Sequence, residues 1–139
     1  MRWWPPKRFA PAVEAGAQQR RARRGARAEA LARAALEAQG YRIERTNVRY
    51  PVGEIDLVAW EGATLCFVEV RSTGSLAWGG PLGSITRAKQ ARLIRAAQWY
   101  LAGCRTPPAE TRFDVVAVLW GEGHEPSVEL LRGAFDVND

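Results

Sequence analysis

With 139 residues, 47% of them apolar and 25% charged, the chain is one domain's worth of sequence. At this length folding removes roughly 68–70% of the unfolded surface from water, so neither disulfides nor a structural metal is needed to hold a core. The net charge of +5 is uneven: residues 1–27 carry eight basic residues against one acid, whereas the remainder carries twelve against fourteen.

Residues 1–24 are set apart as a basic, partly irregular head, with Trp3 and Trp4 among its prolines, ahead of a domain over 25–139. The head lacks the apolar run of a signal peptide, which predicts a cytoplasmic protein. Eighteen of the twenty cations are arginine, suited to bidentate phosphate contact, so nucleic acid is the expected partner. An anionic membrane surface or an acidic protein would be served by the same charge. From Ala17 to Gln39 the alanine, arginine and glutamate content predicts a helix closed by Gly40, with Glu29 on or beside the face of Ala32 and Leu36. Tyr41 to Tyr50 alternates as a first strand. Glu54 to Trp60 and Leu65 to Arg71 form two further β-rich runs around a turn at 61–64, a hairpin signal. Ser72 to Gly83, with four glycines and a proline, predicts a mobile loop. Ser84 is a plausible N-cap for a helix to about Ala102, whose buried stripe draws on Ile85, Ala88, Leu93, Ala96, Ala97 and Tyr100 or Leu101. Phe113 to Trp120 and Val128 to Leu131 complete the strands. The order α-β-β-β-α-β-β predicts a three-layer α/β fold around a mixed sheet. No apolar stretch approaches the roughly 18 residues of a membrane helix. Cys66 and Cys104 lack CxxC spacing and fit small buried residues in a reducing compartment.

Chemistry concentrates in the hairpin. Alternation puts Ile55, Leu57 and Ala59 on one face and Glu54, Asp56, Val58 and Trp60 on the other. In the next strand Cys66, Val68 and Val70 oppose Leu65, Phe67, Glu69 and Arg71. With 61–64 as the loop, Trp60 pairs with Leu65, Val58 with Phe67, Asp56 with Glu69 and Glu54 with Arg71; a two-residue loop keeps the same faces. Two carboxylates directly opposite, with Cβ atoms about 5 Å apart, destabilise the pair unless something offsets their repulsion. A Mg²⁺ ion is the obvious candidate, because it takes carboxylate oxygens, a backbone carbonyl such as that of Val70, and several waters. The plainer alternative is a Glu54–Arg71 cross-strand pair with Asp56 and Glu69 solvated at the sheet end.

The segments Gly53-Glu54-Ile55-Asp56-Leu57-Val58 and Phe67-Val68-Glu69-Val70-Arg71, then Lys89 ahead of Ala96-Ala97-Gln98-Trp99-Tyr100-Leu101, and Arg112-Phe113-Asp114-Val115-Val116, resemble the YraN-like family of bacterial proteins. Gly25 to Glu29, Gly40-Tyr41 and Asn47-Val48-Arg49 fit its opening pattern, so the resemblance covers about residues 25 to 120 in order. That family is similar to Holliday-junction resolvases and to the restriction-endonuclease-like nucleases with a PD-(D/E)XK signature. The resemblance implies a restriction-endonuclease-like fold and an endonuclease acting on branched or single-stranded DNA. It implies Mg²⁺ or Mn²⁺ held by Asp56 and Glu69, support from Glu29, and phosphate or water contact from residue 71. It also leaves room for a homodimer, since junction-processing relatives commonly act in pairs.

The chain departs from the signature at one position. The expected lysine is Arg71, and the family's next basic residue is replaced by Thr73. Arginine keeps its charge at any ordinary pH and cannot take a proton from an attacking water, although it can clamp a phosphate. Lys89, on the helix facing the hairpin, is the candidate for the displaced amine. If Arg71 marks lost hydrolysis, the alternative is a nucleic-acid-binding module on the nuclease scaffold. His124 in its glycine-rich turn reads as a solvated loop residue, and Gln90 and Trp78 are weak substrate-contact candidates near the mobile loop.

Overall fold

A computed structural model describes residues 12–73, 85–121 and 125–137. The expectations for Trp3, Trp4, Trp78, Ser84 and His124, and for most of the 72–83 loop, lie outside these residues. The elements are α1 (Ala12–Ala38), β1 (Arg42–Tyr50), β2 (Gly53–Glu61), β3 (Thr64–Thr73), α2 (Arg87–Ala102), β4 (Glu110–Leu119) and β5 (Ser127–Phe135). The five strands lie side by side in sequence order. β1–β2, β2–β3 and β4–β5 pair antiparallel, and β3–β4 pair parallel through the crossover that contains α2. This is the predicted mixed sheet with one helix on each face.

Each face has its own core. Ala32 and Leu36 of α1 pack with Tyr41, Leu57, Ala59, Cys66, Val68 and Val116. Leu93, Ala96 and Ala97 of α2 pack with Ile55, Val58, Leu65, Phe67, Phe113 and Phe135 on the opposite side. The predicted alternation holds through β3 and for Leu57, Val58 and Ala59 in β2. Ile55 departs from it, joining Val58 in the α2-side core rather than Leu57. The β2–β3 ladder runs from Glu61↔Thr64 to Leu57↔Val68 and stops there, and the pairing with β1 steps from Thr46↔Leu57 to Val48↔Ile55 past Asn47 at φ +52°, so the period of two is interrupted at Asp56.

Several boundaries move. α1 begins at Ala12 and continues through Gly16, Gly25 and the division between head and domain at residue 24. Its end is as expected: Gly40 takes φ +91°, the Tyr41 N–H donates to Leu36 O at 3.0 Å and the Gly40 N–H to Glu37 O at 3.0 Å. These are the two bonds of a Schellman cap, and Tyr41 packs back on Leu36 in the same core. The hairpin loop is two residues, Gly62 and Ala63, with Gly62 at φ +59°, so Glu61 and Thr64 extend the predicted register instead of forming the turn. α2 is capped by Thr86 in place of the predicted Ser84; the Thr86 hydroxyl accepts the Lys89 N–H at 3.1 Å. The later start leaves Ile85 buried ahead of the helix and Ala88 exposed, whereas Leu93, Ala96 and Ala97 are buried as expected. β3 continues past Arg71 to Thr73, and β4 runs from Glu110 to Leu119. β5 extends well beyond Leu131 to Phe135. Its pairing with β4 jumps from Val115↔Leu131 to Phe113↔Phe135, a bulge with Gly133 at φ +62°. What reads as a break in sequence is that bulge, and it lets Phe135 stack on Phe113 with ring centroids 4.9 Å apart.

Among the described residues no helix is long and apolar enough to cross a membrane. Cys66 is buried and Cys104 half-buried, both as free thiols; burial pushes the Cys66 thiol up to about 12.

Candidate active site

At the end of the hairpin away from its turn, where the β2–β3 ladder has stopped, the side chain of Asp56 takes over the role of a backbone partner. Its Oδ2 accepts the Val70 N–H at 2.8 Å. One position before Val70, Glu69 is buried, with only 5% of its surface exposed. A carboxylate that deep needs compensation. Lys89 of α2 supplies it, with Nζ 2.7 Å from Glu69 Oε1, and Arg71 Nη1 stands 3.8 Å from the same oxygen. The Thr86 cap fixes the first turn of α2, the turn that carries Lys89, so a hydroxyl outside the cleft positions the amine inside it.

These groups line a cleft of about 560 Å³ walled by the β1–β2 turn (Tyr50 to Glu54), by Asp56, Glu69 and Val70, and by Lys89, Arg92 and Leu93 of α2. The cleft depends on Gly53. A Cβ there would stand 2.6 Å from the Arg92 carbonyl oxygen, so the turn meets α2 backbone to backbone. Gly53 therefore serves close approach and not a left-handed backbone.

Burial raises the Asp56 carboxyl well above the ordinary carboxylate range, and the neighbouring charge of Glu69 adds to it. The Val70 N–H and the Lys89 ammonium pull the other way without cancelling the rise. Two acids thus share one poorly hydrated site, although the expected Asp56↔Glu69 cross-strand pair is not part of the ladder, which ends at Leu57↔Val68.

The structure brings together Asp56, Glu69, Val70, Arg71 and Lys89. Glu29 is not among the residues lining the cleft. Its Oε1 accepts Asn47 Nδ2–H at 2.9 Å, and Asn47 lies on β1 between the pairs Thr46↔Leu57 and Val48↔Ile55, level with Asp56. Asn47 adopts φ +52°, which asparagine tolerates better than most residues. The alternative Glu54–Arg71 pair does not form: Glu54 meets Arg49 at 3.9 Å and Arg71 meets Glu69. Gln90 spends its side-chain amide on the Ile85 carbonyl at 3.2 Å. Sequence reasoning does not reach Gly53, Thr86, Arg92 and Tyr50, whose parts depend on the packing of the β1–β2 turn against α2.

A second polar cluster sits at the turn end of the hairpin. Asp114, fully buried, accepts from Tyr41 Oη at 2.8 Å, from Arg112 Nε at 2.8 Å and from the Gly133 N–H at 3.0 Å. Arg112 also donates to Glu61 Oε1 at 2.7 Å, and Arg132 donates to both Glu61 oxygens. Burial alone would raise the Asp114 carboxyl, but Arg112, the Gly133 N–H and Tyr41 outweigh it and hold it below its ordinary value. Arg132 and Arg112 bring Glu61 down to about 2. Each of these carboxylates is matched by guanidinium groups, so the cluster ties the hairpin to β4 and β5 and has no unmet charge to offer a ligand.

The sequence matches the uncharacterised protein family UPF0102 over residues 28–118. A UPF0102 protein of Desulfosudis oleivorans is 46% identical over 114 residues, covering 82% of this chain and 90% of that protein. One of Chlorobaculum parvum is 46% identical over 120 residues, covering 83% and 93%, and one of Beutenbergia cavernae is 48% identical over 109 residues, covering 78% and 92%. With both hairpin acids, Lys89 and the Arg112-to-Val116 strand inside the matched span, the chain belongs to the UPF0102 family, the YraN family its motifs resemble.

Proposed function

We propose that this protein is a metal-dependent endonuclease that hydrolyses phosphodiester bonds in branched or single-stranded DNA. The observation that carries this reading is the pairing of Asp56 with the buried Glu69 in one polar cleft, with the Asp56 carboxyl raised by burial and by its neighbour. A cleft that holds two acids together at this cost has a clear use for a divalent cation.

The donors fit Mg²⁺ or Mn²⁺, hard ions that need few protein ligands and keep several waters. Among the described residues no group of three or more His, Cys, Asp or Glu side chains is assembled. Asp56, Glu69 and the Val70 carbonyl would therefore hold the ion, with water completing its shell. When bound, such an ion neutralises charge building on the phosphate and makes a bound water more acidic. Lys89 holds Glu69 in place and presents its remaining N–H donors to a water or a phosphate oxygen. Arg71, charged at any working pH, clamps a phosphate oxygen. Glu29 acts through Asn47, fixing β1 beside Asp56, and is a positioning residue.

One observation favours a second reading. Lys89 already neutralises Glu69 at 2.7 Å, and Arg71 stands in the signature lysine position, an arrangement that also suits a nucleic-acid-binding module without hydrolysis. Purified full-length protein assayed with Mn²⁺ on branched, flapped and single-stranded DNA separates the two. The nuclease reading expects cleavage that Asp56→Ala and Glu69→Ala abolish while DNA binding persists. Cleavage surviving in both variants contradicts it, and an inert wild type on every substrate favours the module.

A further inference from the structure

Outside the acidic cleft, the exposed face of α2 carries an aromatic ring whose exposure the packing of the sheet does not require. Trp99 is 48% exposed, on a helix that otherwise buries Leu93, Ala96 and Ala97. Its ring centroid lies 5.6 Å from that of Tyr50 at an interplanar angle of 49°, so Tyr50 props the indole without covering its face. Tyr50 itself lines the cleft that holds Asp56 and Glu69.

Helix geometry sets the order of groups leading out of the cleft. Arg92 and Trp99 are seven residues apart, within about 20° of each other around the axis and about 10 Å along it. Arg95 lies between them on the same side, and Lys89 one turn before Arg92 points into the cleft. The sequence of α2 contains Arg87, Lys89, Arg92 and Arg95 and no acid. Among the described residues Arg92 and Arg95, both exposed, form no ion pair. A strip that runs from two acids through unneutralised arginines to an open indole has the composition of a single-strand binding surface, cations for the backbone and a ring for the base. Apolar protein partners are served poorly by such a density of one sign of charge.

We propose that Trp99, propped by Tyr50, is a stacking platform for an unpaired base, with Arg92 and Arg95 contacting the flanking phosphates, so that the site takes single-stranded or locally opened DNA in preference to continuous duplex. This rests on the nuclease-scaffold reading above, and it names the substrate feature that the scaffold recognises. In a duplex each base already stacks on its neighbours, whereas an unpaired base has a face to offer the indole.

The test is binding by the full-length protein in EDTA, where no cleavage can occur, read by fluorescence anisotropy on three probes of equal length: oligo-dT, a strand of abasic residues and a duplex. Wild type is expected to bind oligo-dT about 5- to 150-fold more tightly than the abasic strand, the range that stacking of one base on an aromatic ring supports. Trp99→Ala removes most of that preference while leaving abasic binding unchanged, and Trp99→Phe restores part of it. Equal wild-type affinity for dT and abasic strands, tighter binding of duplex, or a preference that survives Trp99→Ala overturns the proposal. So does a wild-type dimer in sedimentation that Trp99→Ala dissolves, which would give the indole to a second copy. Failure of the cation reading would show in metal titration and leave this preference intact, so the two failures are distinguishable.

Discussion

The ammonium of Lys89 on α2 lies 2.7 Å from Oε1 of Glu69 on β3, and the two are brought together by the packing of α2 on the sheet through Leu93, Ala96 and Ala97. One lysine thus serves two carboxylates, since the same ammonium also pulls down the raised carboxyl of Asp56.

That imbalance sets the first prediction. The folded-state pKa of Asp56 is raised, so its carboxyl favours the fold most at pH below the unfolded value near 4, and that contribution is lost as pH rises through the elevated folded value. Without metal, Asp56→Asn is expected to raise the melting temperature at pH 8 by a few degrees, and by less at pH 5. Thermal melts across this pH range check it; equal stability of the two proteins at pH 8 would refute the repulsion.

Removing the lysine moves the same balance the other way. Lys89→Ala leaves the buried Glu69, among the described residues, with Arg71 at 3.8 Å as its remaining cation, so the variant should be less stable throughout, and its further loss of stability on alkalinisation should be larger, because the Asp56 carboxyl rises once the ammonium is gone. Thermal melts of the variant beside wild type read both effects. Where the wild type cleaves DNA, the variant is expected to do so about 10²-fold or more slowly, the scale of losing a positioned charged donor.

Gly53→Ala tests the architecture and not the chemistry. The added Cβ would stand 2.6 Å from a backbone carbonyl oxygen that cannot swing aside, so the turn and α2 must separate. A loss of about 1–3 kcal/mol is expected, the usual cost of overpacking, together with weakened metal binding although no ligand has changed. Unaltered stability and metal affinity would show that the contact does not shape the cleft.

At the other end of the hairpin, Arg112→Ala should cost about 3 kcal/mol, because it strands the fully buried Asp114 carboxylate with only Tyr41 and the Gly133 N–H. The sign with pH is opposite to that at Asp56. Asp114 and Glu61 have depressed folded values, so they stabilise the protein above an unfolded value near 4 and that stability fades as pH falls toward 2. Urea unfolding at pH 7 and pH 3 would show the wild type losing stability on acidification, and the variant losing less.

What the amino-acid sequence reveals of this arrangement depends on the range over which each feature is encoded. The hairpin register and the shared neighbourhood of Asp56 and Glu69 are legible in it, because alternation and a short turn are local properties of β2 and β3. The Gly40 cap is legible for the same reason. Ile55 is misplaced by alternation because the strand is irregular at Asp56: the ladder to β3 has ended at Leu57↔Val68, and the pairing with β1 steps from Thr46↔Leu57 to Val48↔Ile55 past Asn47 at φ +52°. The full extent of β5 is hidden because the bulge at Gly133 looks like a terminator until Asp114 is seen holding its N–H. Thr86 and Ser84 are both able caps, and the choice depends on where buried Ile85 must sit. Gly53 and Arg92 carry no local signal that links them, since their contact exists only in the assembled fold.

The central claim, that Asp56 and Glu69 together hold a divalent cation, is tested most directly by anomalous scattering from a crystal of the protein soaked in Mn²⁺. The predicted result is a single manganese peak in the cleft beside Asp56 and Glu69, with the Lys89 ammonium still holding Glu69. No peak in the cleft would contradict the claim and leave a scaffold whose cation is its own lysine.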